Sequence, residues 1–479
     1  MWKRRAPDLA RRTIRTALLS LLLVQAATGP AAAGQEPTQP PAKAVETFDA
    51  AWRIVQETHF DPHFNGVDWL AVGAELRPKA EAARNIDELR VVLCEMLGRL
   101  RQSHFRLWSR EMIEPLEFGR LRAAPGQAGR RGEFRAADRS GEVGFEVALL
   151  DGRFFVSRIE PGGGADSAGV QPGWQVQSQG ATELSVQLER LPEGINRRVA
   201  EFQAERAVVS RLAGPPGSSV VVPFLDVADE PVELELERRI KIGEVVKFGN
   251  LPPLVARLER NSLVTASGVE VGVIRFNIWL PPLASEFDEA IDELRGTDGI
   301  IVDLRGNPGG VGGMVMGIAG HFLDDPISLG SMRMRDTALH YVVNPRQVNP
   351  AGERVEPFAG PLAVLVSAST ASTSEVFAGG LQAIGRARVF GQRSMGAVLP
   401  SLLDRLPNGD VLQHAIADFT TASGERLEGR GVVPDMTVAL CREDLLSGRD
   451  ATLDAAVRWI ERQSREIGGT PKGSRGETR

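Results

Sequence analysis

Hydrophobic residues change their spacing along the chain, and these changes divide it into three predicted units. Apolar residues recur at steps of three and four over residues 44–115, which predicts a small helical unit. Residues 141–240 combine short apolar runs with glycine-rich turns, which predicts a compact β unit with one short helix. Residues 241–445 alternate apolar β-branched runs with helical stretches, as an α/β domain does. We therefore expect an α/β, multidomain fold.

The two ends of the chain carry patterns of another kind. Residues 1–33 have a cationic start, an apolar run and a small-residue cleavage site, which is typical of a secretory signal peptide. Residues 34–43 are polar and proline-rich, as a linker is. A helix is expected over 446–465 and a disordered tail over 466–479. We expect an exported protein, periplasmic or extracellular, with no stable membrane span after signal removal.

A strand, a short turn and a helix follow one another around residue 370. Leu362–Val366 is an apolar run typical of a strand buried on both faces, and a helical pattern begins after the turn. Such a turn places a hydroxyl at a helix N-terminus, where unpaired N–H groups hold a developing negative charge. Ser372 is the residue expected there. It also fits a capping box with Glu375, and this stretch alone favours an ordinary N-cap over a nucleophile.

Two further places carry groups whose role the local pattern leaves open. His104 continues the apolar stripe of the helical unit, four residues after Leu100, and a histidine on such a face is usually structural. Gly309 and Gly310 follow a predicted buried strand, where glycines permit close backbone approach and present N–H donors. An ordinary turn is the simpler explanation of that pair.

Composition excludes several classes of function. The 479 residues are 42% hydrophobic and 25% charged, with a net charge of −6. There is no basic stripe with interleaved aromatic residues, so no nucleic-acid partner is expected. The two cysteines, Cys94 and Cys441, are too few and too far apart for a metal site, and a disulfide between them stays open. We expect no metal and no organic cofactor, and the oligomeric state stays undetermined.

Three motifs occur in order in the last unit: GIIVDLRGNPGG, TASTSEVFAGGLQAIGRARVFGQRSMG and LEGRGVVPD. With the units that precede them, they resemble the family of C-terminal processing peptidases and the tricorn core protease. The resemblance implies a PDZ-like domain over 141–240 and a crotonase-like α/β catalytic core. It implies that Ser372 is a nucleophile. It also puts Gly144 and Phe145 at the loop that receives a peptide's terminal carboxylate in PDZ domains.

The chain departs from the processing peptidases at the base. Their lysine corresponds to Ala397, and alanine cannot accept a proton, which excludes a Ser–Lys dyad at that position. The tricorn branch has instead a Ser-His pair, similar to Ser103-His104, and a glutamate similar to Glu428. The resemblance implies that His104 is the base and that Glu428 orients it, directly or through Ser103.

The same resemblance implies an oxyanion hole and sets a limit on specificity. The hole would consist of the Thr373 N–H with one from Gly309 or Gly310. Thr373 stands where the tricorn enzyme has an acidic residue, so that enzyme's preference for basic side chains does not carry over.

We therefore expect a serine endopeptidase acting on peptides or unfolded proteins. One alternative is a catalytically inactive relative that serves as a PDZ-type scaffold or binds a hydrophobic ligand, as retinoid-binding repeats of the same core family do. The missing lysine favours that alternative. Retention of the serine, histidine and glutamate together favours the enzyme. An esterase using the same relay is a third, weaker hypothesis.

Overall fold

The computed structural model describes residues 43–113, 140–191, 196–248 and 253–468. The expected signal peptide and all but the last residue of the expected linker lie outside the described residues. The last eleven residues of the expected tail do so too. Among the described residues, no helix has the length and apolar character needed to cross a membrane.

Three helices form the first unit: α1 (Ala44–Thr58), α2 (Trp69–Glu81) and α3 (Ile86–Gly98). Asp68 and Asn85 cap α2 and α3, because each side chain accepts a backbone N–H three residues ahead. Apolar faces of the helices enclose one core of fully buried side chains, among them Phe48, Val55, Leu76, Leu89, Leu93 and Met96.

A strand leaves this unit and joins the last part of the chain. After α3 come β1 (Arg106–Trp108) and the short helix α4 (Arg110–Ile113). Strand β1 pairs antiparallel with Val411–Ala415, about three hundred residues downstream. Leu107 on this strand packs into the core of the helical unit. The helical unit is thereby joined to the third unit by a shared sheet.

The second unit is an antiparallel sheet with its own core. Its strands pair in the order β3-β4-β5-β6-β7, and a small pair, β2-β8, stands beside them. The elements are β2 (Gly141–Glu142), β3 (Phe145–Leu150), β4 (Arg153–Ile159), α5 (Gly164–Ser167), β5 (Gln175–Val176), α6 (Gln179–Glu189), α7 (Arg197–Ser210), β6 (Ser219–Leu225), β7 (Pro231–Glu237) and β8 (Arg239–Ile240). Strand β3 is an edge strand.

The third unit is built on a six-stranded sheet in the order β11-β12-β13-β16-β17-β21. All its pairs are parallel except β11 with β12. The elements up to the central strand are β9 (Glu244–Val246), β10 (Leu254–Ala256), β11 (Leu258–Val264), β12 (Glu270–Phe276), α8 (Leu283–Leu294), β13 (Gly299–Asp303), α9 (Met314–Ala319), β14 (Ser328–Arg333), β15 (Ala338–Val342) and β16 (Leu362–Val366).

The remaining elements complete that sheet and two smaller ones, β15-β14-β20 and β1-β19-β18. They are α10 (Thr373–Ala383), β17 (Arg388–Gly391), β18 (Ser401–Arg405), β19 (Val411–Ala415), β20 (Asp418–Thr421), β21 (Met436–Thr437), α11 (Arg442–Leu446) and α12 (Ala451–Gly468).

Helices cover both faces of the six-stranded sheet. Side chains of α8, α9 and α10 form the larger core on one face, and α12 packs on the other through Ala456 and Ile460. Every residue of β13 and β16 is buried, as expected of central parallel strands. The mixed α/β, multidomain prediction is confirmed.

The C-terminal helix differs in its bounds from the expected 446–465. Gly448, with φ of 67°, separates the short helix α11 from α12. The left-handed backbone there suits glycine and ends a helix, so α12 begins only at Ala451. It then continues through Gly468, into the first residues of the expected tail.

Candidate active site

Ser372 lies between β16 and α10, at the carboxyl edge of the parallel sheet. Its backbone has φ of 54° and ψ of −121°. An ordinary N-cap residue has extended backbone, and a non-glycine residue held in a sparsely populated region is characteristic of functional turns. The Ser372 N–H donates to the carbonyl oxygen of Ala397 (2.8 Å) and to Oε2 of Glu375 (3.0 Å). The glutamate side of the predicted capping box is therefore present, but in an unusual backbone conformation.

The two glycines after β13 lie against this turn. A Cβ on Gly309 would meet Cβ of Ser372 at 2.6 Å and the backbone nitrogen of Thr373 at 2.8 Å, so only glycine fits there. Gly310 accepts a hydrogen bond from the Thr373 hydroxyl (2.9 Å). The glycine turn and the start of α10 are thus in direct contact.

The backbone N–H groups around Ser372 differ in whether they have an acceptor. The Gly309 N–H donates to Oδ1 of Asn307 at 2.9 Å. Within the described residues, the N–H groups of Gly310 and Thr373 donate to no protein atom. The sequence left Gly309 and Gly310 as equal candidates for an anion donor, and Asn307 is the neighbour that distinguishes them.

Glu375 is fully buried and holds the next segment of the chain against Ser372. Its carboxylate accepts four hydrogen bonds from Ser372, Ser394, Gly396 and Ala397, three from backbone N–H groups and one from a hydroxyl. Burial raises the pKa of Glu375 to about 7, against hydrogen bonds that all favour the charged form. The sequence suggested only the bond to Ser372. The other partners are brought near by the fold.

Ala397, at the position of the family's lysine, lies in a closed apolar pocket. With Ala371 and Met395 it forms a small buried cluster, and Val199 and Phe202 of α7 pack against that cluster. Helix α7 of the second unit thus covers the place where the processing peptidases carry their base.

Two polar side chains of α7 extend this contact. Arg198 donates to the carbonyl oxygens of Met395 (3.1 Å) and of Gly429 (3.0 Å). Glu205 accepts the Ser369 hydroxyl (2.9 Å), three residues before Ser372, and the N–H of Leu149 on β3 (2.9 Å). Burial raises the pKa of Glu205 to about 7. The sequence analysis missed these residues, because nothing local marks a helix that docks on another unit.

Ser103, His104 and Glu428 form one hydrogen-bonded chain. Oε1 of Glu428 accepts the Ser103 N–H and Oε2 accepts the Ser103 hydroxyl, both at 2.9 Å. Ser103 Oγ lies 2.8 Å from Nδ1 of His104. Because the serine gives its one hydroxyl proton to the carboxylate, Nδ1 must be the protonated nitrogen, and Nε2 keeps a free lone pair.

Glu428 also connects the chain of hydrogen bonds to the Ser372 turn. Its Oε2 accepts the N–H of Val398 at 3.0 Å, and the preceding residue, Ala397, accepts the Ser372 N–H. The serine turn and the histidine turn are therefore two hydrogen-bonded steps apart through residues 397–398. No hydrogen bond joins the His104 ring to the Ser372 hydroxyl among the described residues.

The turn that carries His104 has an unusual backbone. Arg101 and His104 both have left-handed φ, 52° and 60°. His59 braces the turn, because Nε2 of its buried ring donates to the Gln102 side chain (2.9 Å) and the ring stacks on Phe105. No local pattern marks His59, because its partner Gln102 lies 43 residues further along the chain.

His104 is neutral at pH 7. Burial lowers the pKa of His104 to about 4, and the positive charge of Arg106 adds to the effect. Burial raises the pKa of Glu428, against its bonds to Ser103 and Val398. The site thus combines a neutral imidazole with a largely enclosed carboxyl group, and its polar atoms suit proton transfer from a hydroxyl.

Gly144 and Phe145 lie at the start of β3, in the second unit. Gly144 has φ of 84° and approaches Gly163 so closely that a Cβ would meet its Cα at 2.9 Å. Phe145 is buried in that unit's core against Phe224. A peptide-binding role of this pair stays a prediction.

The described residues contain no group of side chains that could hold a metal ion. Cys94 and Cys441 are both free thiols, so the possible disulfide between them is not formed in this structure.

Comparison with known families defines the class. Residues 270–438 match Peptidase family S41, and residues 40–98 match the tricorn protease C1 domain. In both matched segments the chain is similar to C-terminal processing and tricorn-type peptidases. By class it is a serine-type peptidase.

Individual relatives match most of the chain. The carboxyl-terminal-processing protease of Synechocystis sp. is 27% identical over 419 residues, 85% of this chain and 83% of that protein. The putative tricorn protease homolog 2 of Streptomyces coelicolor is 24% identical over 434 residues, 88% of this chain and 32% of that protein. The solved photosystem II D1 C-terminal processing protease has a TM-score of 0.54 at 22% identity, covering 87% of this chain and 97% of that one, and shares its fold.

Proposed function

We propose that this chain is an exported serine endopeptidase that cleaves peptides or unfolded proteins through an acyl-enzyme. Ser372 is the nucleophile, His104 the base, and Glu428 orients and stabilises the imidazole through Ser103. The observation that carries the proposal is the hydrogen-bonded chain from Glu428 through Ser103 to Nδ1 of His104, with bonds of 2.9 Å and 2.8 Å. A structural histidine needs no such relay, and the relay leaves Nε2 ready to accept a proton.

Acylation begins when Nε2 of His104 takes the Ser372 hydroxyl proton and Oγ attacks the substrate carbonyl carbon. The Ser–His hydrogen bond forms in the substrate complex, as is common when it is absent or long in the free enzyme. The new oxyanion accepts the N–H groups of Thr373 and Gly310, which have no acceptor within the described part of the chain. The Gly309 N–H is already bound to Asn307, so this residue contributes no donor to the oxyanion. Its contribution is the absence of a side chain.

The imidazolium then donates its proton to the leaving amine, and the amine departs. Water enters, gives a proton to His104 and attacks the ester carbon; the imidazolium then returns that proton to Oγ of Ser372 as the acyl group leaves as a carboxylic acid. Glu428 stabilises the imidazolium in both half-reactions. The lowered pKa of His104 means that the free ring is neutral at every pH above about 4, so the base is available at neutral pH.

Substrate delivery is the second part of the proposal. The free edge of β3, next to Gly144 and Phe145, is suited to the addition of an extended peptide strand. The N–H of Leu149 on that edge is held by Glu205, whose other oxygen binds Ser369. An unfolded C-terminus bound there would lie next to the helix that packs on the nucleophile turn. Export through the expected signal peptide is part of the same proposal.

Covalent labelling tests the chemistry against the scaffold alternative. A serine-reactive phosphonate should modify wild-type protein at Ser372, as located by peptide mass spectrometry, and should leave Ser372→Ala unmodified. Ser262→Ala is the matched control, because that exposed serine lies on β11 and should label like wild type. Absence of labelling in folded wild-type protein would favour the inactive scaffold. Turnover of esters without turnover of peptides would favour the esterase.

A further inference from the structure

Trp279 lies in the turn between β12 and α8 and is completely buried. Its main chain pairs with the glycine turn after β13. The Trp279 N–H donates to the Gly309 carbonyl oxygen at 2.9 Å, and the Trp279 carbonyl oxygen accepts the Val311 N–H at 2.8 Å. These bonds form an isolated parallel bridge centred on Gly310. One residue therefore holds the glycine turn on both sides of Gly310.

The contact between Trp279 and Gly310 is also the closest fit that a backbone allows. A Cβ on Gly310 would clash with the carbonyl oxygen of Trp279 and would lie 2.9 Å from its carbonyl carbon, so only glycine fits there. Such a fit leaves the glycine turn little room to shift against Trp279. The position of the Gly310 N–H thus depends directly on the position of Trp279.

The indole of Trp279 contacts a different segment, the start of α10. Its Nε1 donates to Oγ of Ser374 at 2.8 Å, and both side chains are fully buried. Ser374 follows Thr373 in the first turn of α10. The indole ring also packs against Phe377 in the next turn of that helix, with ring centres 5.3 Å apart. The side chain of Trp279 therefore fixes the start of α10, as its main chain fixes the glycine turn.

Each of the two segments that Trp279 holds carries one donor for the oxyanion. Under the proposed function these donors are the N–H groups of Gly310 and Thr373, on which this inference rests. We propose that Trp279 is a positioning residue that sets the separation of these two N–H groups. Preorganised donors stabilise an oxyanion fully only when both face the same point, so an error in their spacing lowers the rate.

Core packing alone does not account for this arrangement. The Trp279 ring packs on Phe276 and Phe377, and a phenylalanine would make much of that contact. Tryptophan adds one N–H, and the fold places its acceptor 95 residues further along the chain. A buried indole N–H needs some partner in any core. The feature beyond packing is that the main chain and the side chain of one residue end on the two segments that carry the donors.

Trp279→Phe tests the proposal, because it removes the indole N–H and keeps an aromatic ring and both main-chain bonds. The kcat for peptide hydrolysis should fall about tenfold with KM unchanged, since the oxyanion forms only in the transition state. A peptide boronic acid forms a tetrahedral adduct with a serine hydroxyl and places an oxygen where the oxyanion would be. Its affinity should fall about tenfold too. Peptide binding to Ser372→Ala protein should be the same with and without Trp279→Phe.

A second variant removes the same bond from its other end. Ser374→Ala takes away the acceptor, and the double variant with Trp279→Phe should lose no more activity than the more affected single variant, because one bond cannot be lost twice. The matched control is Trp52→Phe, which gives up an indole bond of 3.0 Å to the carbonyl oxygen of Trp69 in the helical unit. It should keep the kcat and the boronate affinity of wild type. Thermal melting shows that each variant is folded at the assay temperature.

Failure of this inference is distinguishable from failure of the proposed function. If wild type is active and folded Trp279→Phe keeps its kcat and boronate affinity, this inference alone is overturned. It is overturned as well if the losses in Trp279→Phe and Ser374→Ala multiply in the double variant, or if Trp279→Phe weakens peptide binding to Ser372→Ala protein. A folded wild-type protein that neither hydrolyses peptides nor reacts with the phosphonate overturns the proposed function, and this inference with it.

Discussion

Two segments of the chain meet at the Glu428 carboxylate, and they differ in polarity and in backbone conformation. Residues 394–398 contribute a backbone N–H and a pocket closed by apolar side chains. Residues 99–104 contribute a serine, a histidine and two left-handed backbone positions. In the first segment the position of a catalytic lysine is filled by Ala397. In the second, a strained polar turn carries an imidazole.

Under the proposed function, the difference is a change in the position of the catalytic base within one fold. A lysine used as base must be deprotonated near neutral pH, which requires a desolvated site that still contacts the nucleophile. In this chain the desolvated site is still present, but apolar side chains of α7 pack into it. An imidazole base does not require a desolvated site, because its ordinary pKa is already near neutrality and a carboxyl group can orient it. A turn braced by His59 and Glu428 meets that need.

The first prediction tests whether His104, and not a residue at position 397, acts as the base. His104→Ala should lower kcat/KM for peptide hydrolysis by roughly 10³- to 10⁴-fold, because the nucleophile loses its proton acceptor. Adding Ala397→Lys to that variant should restore nothing, since position 397 lies in a buried cluster with Met395, against which Phe202 packs. Continuous fluorogenic assays with matched concentrations of folded protein give both numbers.

The control for that pair is Ala397→Gly, which should stay within tenfold of wild type, because the residue contributes only backbone contacts and a methyl group. Recovery of activity in the His104→Ala, Ala397→Lys double variant would contradict the comparison. It would mean that the closed pocket can still function as in the processing peptidases.

The second prediction concerns Glu428 and Ser103, the two polar partners of the turn that carries His104. Glu428→Gln should lower kcat by about 10²- to 10³-fold with little change in KM, since the amide neither stabilises the imidazolium nor fixes its tautomer. All three groups around Glu428 are donors, so one of them would face the new NH₂ group. Ser103→Ala should lower kcat less than Glu428→Gln, because the carboxylate, still held by two backbone N–H groups, keeps its electrostatic stabilisation of the imidazolium when the hydroxyl link is lost. Steady-state kinetics across a range of substrate concentrations separates kcat from KM.

Equal losses in Ser103→Ala and Glu428→Gln would mean that the carboxylate acts only through the hydroxyl. A Glu428→Gln enzyme with wild-type kcat would remove the glutamate from the relay altogether.

Sequence patterns predicted much of the fold because that part is encoded locally. Leu362–Val366 is a strand, as expected from its apolar run. The site could be predicted only in part. Ser103 and Glu428 are 325 residues apart, and no local pattern states that they bond. Periodicity likewise cannot separate a histidine that ends an apolar stripe from one held in a strained turn.

The details of Glu375 and the glycine pair were beyond sequence reasoning for the same reason. A capping box predicts one bond to Glu375, whereas three of its four partners come from tertiary packing of residues 372–397. The choice between Gly309 and Gly310 depends on where Asn307 points. The docking of α7 on the nucleophile turn depends on the arrangement of two units. A resemblance to known families supplied what the local patterns could not.

The smallest expected effects are on stability. They concern two buried carboxyl groups near the apolar pocket, those of Glu375 and Glu205. Glu375→Gln should lower the free energy of unfolding by roughly 2–3 kcal/mol, because a backbone N–H faces each carboxylate oxygen, so the new NH₂ group meets a donor whichever way the amide is turned. Glu205→Gln should cost less than about 1 kcal/mol at pH 5, since the Ser369 hydroxyl can rotate and accept. Denaturant titrations followed by tryptophan fluorescence measure both.

The Glu205 variant also has a pH signature whose sign follows from its raised pKa. Between about 4.5 and 7 the folded carboxyl group holds a proton that the unfolded one has lost, so its contribution to stability falls as pH rises. His59 and His104, whose pKa values are lowered, act in the opposite direction, so the quantity to follow is the difference between wild type and Glu205→Gln. That difference should shift by about 1–2 kcal/mol in favour of the variant between pH 5 and pH 7.5. A difference that does not change with pH would mean that Glu205 stays ionised, and that its contact with Ser369 is an ordinary charged hydrogen bond between two units.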